Sequence, residues 1–312
     1  MKIVFMGTPQ FAVPSLRKIV ESKHDIIGVV TGSDCKRGRG QRVRKTAIKK
    51  VAENLNTKIL QPECLSDDDF YQDLQDLNPD VFVVVAFRIL PERLLSIPEF
   101  GAINLHASLL PKYRGPAPIN WAIINGEKET GYTIFQIEKS VDTGDMLKQE
   151  KIPIKNTDTC QEVHDTLAKE GATGLLSVLQ DLEEGKREAI PQKDEEATKA
   201  PKINSEMGRI DWSQKAEKIK NLINGLSPYP GAFSFFNGKR VKFIRANYKD
   251  KNYEKKPGEI AFVNNYSMGI QTGDGVLIPI ELQKSGKRVL PVKDFINGFK
   301  GKAGDEFTSK RS

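Results

Sequence analysis

The sequence predicts an α/β protein, with a Rossmann-like, mostly parallel sheet domain followed by a small C-terminal β-barrel of OB-like kind. Two observations carry this. Over residues 1–185 short apolar runs alternate with segments of helical spacing. After a polar stretch at 186–205, bearing Pro191 and Pro201, residues 206–312 turn to many short strands broken by turn signals.

Each element has its own reason. Residues 2–6, 26–30, 58–60, 81–87 and 102–106 read as strands. Three of them are continuous apolar runs without polar alternation, as expected for strands covered on both faces. Residues 9–22, 45–54 and 67–77 space their apolar positions as helices do, and 91–97 fits a short helix. Residues 118–125 read as a further helix, and 130–137 and 146–154 as adjacent strands. A long helix is expected over 158–184, capped by Thr157 or Asp158 and closed near Gly185. The 186–205 stretch has the composition of a linker. Beyond it, 212–226 is helical, and 232–236, 241–247, 259–263, 267–271 and 276–282 are strands. The turn signals Asn237-Gly238 and Gly273-Asp274-Gly275 separate several of these. The domains expected are 1–185, a linker 186–205, and 206–312.

Composition narrows the function. The longest strongly apolar run, 81–87, is too short to span a bilayer, so no membrane association is expected. The start reads as strand and turn, unlike a signal peptide. Cys35, Cys64 and Cys160 are odd in number and widely spaced, so neither a disulfide framework nor a zinc motif follows. A cytoplasmic protein without a metal is expected. The net charge of +7 is uneven: −3 over 1–185, +1 over 186–205 and +9 over 206–312. A basic C-terminal part points to a polyanionic partner. Residues 34–50 add eight Lys and Arg against one acid, Asp34, with Gly38 and Gly40 flanking Arg39. This reads as a flexible loop suited to phosphates. A solvated charged loop is the plainer reading of the same residues. Gly7-Thr8-Pro9 is not the dinucleotide fingerprint, and no nucleotide cofactor is expected.

Chemistry concentrates at Asn104-Leu105-His106 and at Val141-Asp142-Thr143-Gly144-Asp145. His106 falls at the carboxyl end of a predicted strand, the edge where open parallel sheets bind ligands. Asn104, two residues earlier, points to the same side. An amide beside an imidazole can hold an oxyanion, and the imidazole can move a proton near neutral pH. Asp142 could orient His106 and stabilise its charged form. Each group also has a plain reading, as a strand-end pair satisfying backbone and as an ordinary Asp-Gly turn. The residues alone leave both open. There is no nucleophile beside them, which suits direct acyl transfer between two bound molecules. His24 and His164 read as surface residues.

Met6-Gly7-Thr8-Pro9, Asn104-Leu105-His106-Ala107-Ser108-Leu109-Leu110-Pro111, Tyr113-Arg114-Gly115-Pro116-Ala117-Pro118 and Asp142-Thr143-Gly144-Asp145-Met146 together resemble the methionyl-tRNA formyltransferases, a branch of the folate-dependent formyltransferases. The likeness covers nearly the whole chain. It implies transfer of the formyl group of 10-formyltetrahydrofolate to the amino group of methionine on initiator tRNA. It implies Asn104, His106 and Asp142 as the catalytic group. Ser108, Leu109, Leu110 and Pro111 would contribute to the folate site. The loops of Phe87, Arg88, Ile89 and Leu90, and of Val141, Thr143, Gly144 and Asp145, would line the pterin pocket. Arg39 matches the arginine of the family's Gly-Arg-Gly loop, with Arg37, Arg42, Arg44 and Lys45 expected beside it on the tRNA. The C-terminal domain resembles the family's tRNA-binding barrel, and a monomer is expected. Two positions depart from the pattern. Ala86-Phe87-Arg88-Ile89-Leu90-Pro91 is one residue shorter than the common Ala-Tyr-Gly-x-Ile-Leu-Pro, and Ala107 replaces a common glycine.

The rival enzyme is a formyltransferase acting on a nucleotide-linked amino sugar. The basic loop and basic C-terminal part argue against so small a substrate. Glycinamide ribonucleotide formyltransferase fits less well, because the chain is too long for its single domain. A non-catalytic RNA-binding protein is the rival from another class, and the intact Asn104, His106 and Asp142 argue against it.

Overall fold

In a computed structural model the described residues are 1–37, 42–55, 57–186 and 188–310. They form two compact units. The first comprises Met1–Gly115, Gly131–Ile152 and His164–Lys199; the second comprises Pro116–Thr130, Pro153–Val163 and Ala200–Ser312.

The strands of the first unit are β1 (Lys2–Gly7), β2 (Asp25–Val30), β3 (Cys35–Arg37), β4 (Arg42–Arg44), β5 (Lys58–Leu60), β6 (Val81–Val85), β7 (Ala102–His106), β8 (Glu129–Gln136) and β9 (Met146–Pro153). Seven build one sheet, in the order β5-β2-β1-β6-β7-β8-β9. Neighbours from β5 through β7 pair in parallel, and β8 joins β7 antiparallel. All five residues of β6 are buried, which is why this strand carries no polar alternation. It stops at Val85, two residues earlier than expected, because Ala86 turns into the left-handed region at φ +49°. The chain leaves β1 for β2 on one side and returns to β6 on the other. The order therefore reverses beside β1, and the carboxyl ends of β1 and β6 flank the place where open α/β sheets bind ligands.

The helices of the first unit are α1 (Val13–Val20), α2 (Ala47–Ala52), α3 (Asp68–Leu77), α4 (Glu92–Leu95) and most of α6 (Cys160–Glu183), while α5 (Pro118–Ile124) belongs to the second unit. A proline in the first turn of α1 costs no hydrogen bond there, and Val13, Leu16 and Ile19 face the core. The expected start at residue 9 is instead a short 3-10 turn, Gln10–Ala12. Helix α6 opens later than Thr157 or Asp158. Glu162 accepts from both the backbone N–H and the hydroxyl of Thr159, the reaching-back arm of a capping box. Gly185, at φ +73°, ends it as expected. His24 is a correction to the sequence reading. It is 4% exposed, and its Nδ1 lies 3.3 Å from the Met1 amine. His164 is half-buried, edge-on to the Phe11 ring.

The second unit holds α7 (Ala216–Gly225), α8 (Val292–Asn297) and the strands β10 (Ala232–Phe236), β11 (Lys239–Lys249), β12 (Ile260–Val263), β13 (Met268–Gln271), β14 (Val276–Lys284), β15 (Val289–Pro291) and β16 (Phe307–Thr308). The sheet runs β12-β13-β14-β11-β10-β16, with β15 on β14. It curls back on itself, because Ile260 N–H donates to Asp305 O and Phe307 N–H to Gly258 O. Trp212, Phe243, Phe295 and Phe307 fill the interior. Asn237 and Gly238 both take positive φ, the backbone of a tight hairpin turn. Helix α7 starts four residues after the expected Trp212. The Asp211 carboxylate accepts from Ser213 N and Oγ and from Gln214 Nε2, which makes a turn of that stretch. Helix α5 packs in this unit, where Asn120 Nδ2 donates to Gly225 O.

Candidate active site

Strand β7 delivers Asn104 and His106 to the carboxyl edge of the first sheet. Their antiparallel partners on β8 are Phe135 and Thr133. His106 is 7% exposed. Its Nε2 lies 3.0 Å from Tyr113 O. A carbonyl oxygen only accepts, so Nε2 carries the hydrogen of this bond, and Nδ1 is left for proton exchange. Asp142 Oδ2 lies 3.8 Å from Nδ1. That is beyond hydrogen-bond length but within ion-pair distance. Among the described residues the Asn104 amide has no hydrogen-bond partner, and it is half-buried. A donor free in this position is available to a ligand.

Asp142 reaches His106 through an unusual turn. Its φ is +57°, a region L-residues rarely occupy, though Asp tolerates it. Oδ2 accepts from Gly115 N–H at 2.8 Å. Two residues on, Gly144 passes so close to β8 that a Cβ there would fall 1.7 Å from Gln136 O. Only glycine fits, so the Gly of Asp-Thr-Gly has a steric reason beyond turn propensity.

The other predicted site residues divide. Ala86 leaves β6 next to the His106 edge. Beyond it Phe87 packs partly into the core, Leu90 is buried, and Ile89 is 72% exposed. The Arg88 guanidinium donates to Pro62 O and Glu63 O and lies over the Phe87 ring. Val141 is exposed, and the Thr143 hydroxyl donates to Ser140 O. Ser108, Leu110 and Pro111 are seated inside the turn after β7, where the Ser108 hydroxyl donates to Lys112 O. Leu109 packs against Gly131. The structure does not bring Asp145 to His106. Asp145 instead lines a recess with residues 95–101, Gln136 and Leu182, beside the opposite end of β7.

The described part of the basic segment contains two short strands, and the expectation of a flexible loop falls on glycines outside the described residues. β3 and β4 form a hairpin that pairs Cys35 with Arg44 and Arg37 with Arg42. Gly38, Arg39 and Gly40 lie outside the described residues. Lys45 is paired with Glu53 at 2.6 Å, and Lys49 with Asp34 at 2.7 Å. Hydrogen bonds from Lys49 and Gln61 hold the Asp34 carboxyl below the usual carboxylate range. Arg44 is exposed, without a carboxylate partner among the described residues.

Sequence reasoning missed Arg114, Gly115 and Gln192. Arg114 and Gly115 stood in a motif without a role, and Gln192 stood in the presumed linker. Gln192 Nε2 donates to Asp142 O and Gly144 O, and its Oε1 accepts from Arg114.

Fold and residue set define a formyl transferase, and comparison with known proteins agrees. Residues 1–179 match the family described as Formyl transferase, and 202–300 match Formyl transferase, C-terminal domain. The chain belongs to this family. Over nearly its whole length its relatives carry a more particular name. Methionyl-tRNA formyltransferase of Caldanaerobacter subterraneus subsp. tengcongensis is 47% identical over 300 residues, 96% of this chain and 97% of that protein. The enzyme of the same name from Alkaliphilus oremlandii is 42% identical, covering 96% of each. Among solved structures, HypX from Aquifex aeolicus in complex with tetrahydrofolic acid shares the fold at TM-score 0.66 and 21% identity, over 98% of this chain and 48% of that one. An N-formyltransferase from Helicobacter canadensis with folinic acid and dTDP-3-aminofucose does so at TM-score 0.69 and 21% identity, over 91% and 99%. Among the described residues no helix is long and apolar enough to cross a membrane.

Proposed function

We propose that the chain transfers the formyl group of 10-formyltetrahydrofolate to the amino group of methionine on initiator methionyl-tRNA. The observation that carries this is the group at the β7 edge: a free Asn104 amide, with His106 Nδ1 facing Asp142. The transfer joins the amine nitrogen to the formyl carbon and breaks that carbon's bond to the folate nitrogen. Negative charge develops on the formyl oxygen. Asn104 donates to that oxygen, and His106 adds a second donor at Nδ1 once it has taken up the proton of the attacking amine. Asp142 stabilises the charged ring. The proton lost by the attacking amine goes to the departing folate nitrogen, by way of His106 Nδ1 or of water.

The loops on either side fit the folate. Ile89 and Val141 present exposed apolar side chains that a flat pterin ring would cover. Ser108 and Pro111 would act through the shape of the turn they hold, since the Ser108 hydroxyl is already committed. For the tRNA, Arg37, Arg42 and Arg44 stand on one hairpin with Arg39 between them in sequence, and the 206–312 segment carries +9. Basic surfaces of this kind bind phosphates without reading sequence. Full-length relatives at 40–47% identity bear the tRNA enzyme's name, which favours this substrate over an amino sugar.

The test is to incubate the protein with 10-formyltetrahydrofolate and charged initiator tRNA, with a nucleotide-linked amino sugar in a parallel reaction. Formylmethionine on the tRNA, and no formylated sugar, is expected. The reverse outcome overturns the assignment.

A further inference from the structure

The 186–205 segment has the composition of a linker, yet it is pinned at Ile190 and Thr198. Ile190 exchanges both backbone hydrogen bonds with Met146 at 2.9 Å. Thr198 accepts from Arg114 N–H at its carbonyl and from Tyr113 N–H at its hydroxyl, each at 2.9 Å. Between these anchors sits Gln192. Its Nε2 donates to Asp142 O at 3.0 Å and to Gly144 O at 2.8 Å. Its Oε1 accepts from Arg114 Nε at 3.2 Å and from an Arg114 terminal nitrogen at 2.7 Å. Arg114 is anchored in turn by Asp194 at 2.8 Å.

The chemistry of this contact is demanding. The position needs two N–H donors toward carbonyls and one acceptor toward a guanidinium. An amide supplies both. A carboxylate of the same shape keeps the Arg114 contact but sets a negative oxygen against two carbonyl oxygens. The backbone gripped here is the turn with Asp142 at φ +57°, a conformation that persists only when its surroundings hold it. From the other side Gly115 N–H holds the Asp142 carboxylate. Main chain and side chain of Asp142 are thus both fixed by residues near the Arg114 loop.

We propose that Gln192 is a positioning residue for formyl transfer. Buttressed by Arg114, it sets the turn that stands Asp142 beside His106 Nδ1. This rests on the catalytic reading of His106 and Asp142. Gln192 touches neither the ring nor a substrate in this role, and acts through Asp142 alone.

The experiment measures kcat and both KM values for full-length Gln192→Ala, Gln192→Glu, Asp142→Asn and the double variant Gln192→Ala/Asp142→Asn, with thermal melts alongside. Gln192→Glu is expected to lower kcat about tenfold or more, the scale for a displaced reacting group. Both KM values should stay within about threefold, since uniform binding is untouched. The double variant should be no slower than Asp142→Asn alone, because residues acting as one unit are not additive. A folding defect would instead multiply the two losses, so a double variant at the product of the singles overturns the proposal. A Gln192→Glu enzyme with wild-type kcat, beside an impaired Asp142→Asn, overturns it too while sparing the catalytic reading. If Asp142→Asn itself keeps wild-type kcat, that reading fails and the inference falls with it.

Discussion

The backbone N–H of Gly115 donates to Asp142 Oδ2 at 2.8 Å. This contact joins the loop that follows the histidine strand to the turn that carries the carboxylate. The same loop places Tyr113 O against His106 Nε2. Imidazole and carboxylate are therefore set by two residues of one loop, Tyr113 and Gly115, and their spacing follows from backbone geometry.

Asn104 is the group whose loss should act on chemistry alone. Asn104→Ala removes a donor that no other described residue engages. Turnover is expected to fall about a hundredfold or more, as for other oxyanion donors. The melting temperature should hold within a few degrees. Steady-state kinetics with a thermal melt check both; a loss of stability without a loss of kcat would count against the role.

Gly144 should tolerate nothing larger. A Cβ there meets Gln136 O at 1.7 Å and its carbon at 2.9 Å, so Gly144→Ala must move the turn or β8. Activity should drop at least as far as in Asp142→Asn, with a lower melting temperature. Gly185→Ala is the control. Its Cβ meets nothing within 4 Å, and only its φ of +73° is strained. It should cost about 1 kcal/mol of stability and leave kcat unchanged.

How far the sequence revealed this site depends on how local each relationship is. Asn104 and His106 were legible because both lie on one strand whose apolar run and turn mark its end. Gly144 was visible only as a turn residue, since its reason lies in β8. Gln192 was not legible at all. Its segment has linker composition, and its partners Arg114, Asp142 and Gly144 meet it only through the fold. For the same reason the two-residue strand Phe307–Thr308 escaped the sequence reading, although Phe307 N–H helps close the curled sheet. The paired strands Cys35–Arg37 and Arg42–Arg44 escaped it because their charge read as loop.

The basic hairpin separates residues free for phosphates from residues already paired. Arg44 is exposed without a carboxylate partner among the described residues, whereas Lys49 is bonded to Asp34 and Gln61. Arg44→Ala should raise KM for tRNA several-fold and reduce the salt dependence of binding by about one ion. Lys49→Ala should affect tRNA binding less. Equal effects, measured at one ionic strength, would mean the whole segment acts as a diffuse charge.

Asp34 predicts an acid-side loss of stability. Its folded pKa lies below the unfolded value because Lys49 and Gln61 bond the ionised form. Its contribution is thus full above the unfolded carboxylate pKa, near 4, and is lost as pH falls through the lower folded value. Thermal melts from pH 7 down to pH 3 should show Asp34→Asn less stable than wild type at neutral pH. The gap should close at the acid end. A gap that widens on acidification contradicts the sign.

The central claim is that His106, with Nδ1 facing Asp142, carries out formyl transfer to methionyl-tRNA. Single-turnover formylation with both substrates saturating tests it most directly, because release steps drop out. His106→Ala should form formylmethionyl-tRNA about a hundredfold more slowly than wild type, or slower still, with tRNA affinity in filter binding unchanged. A single-turnover rate near wild type would contradict the account.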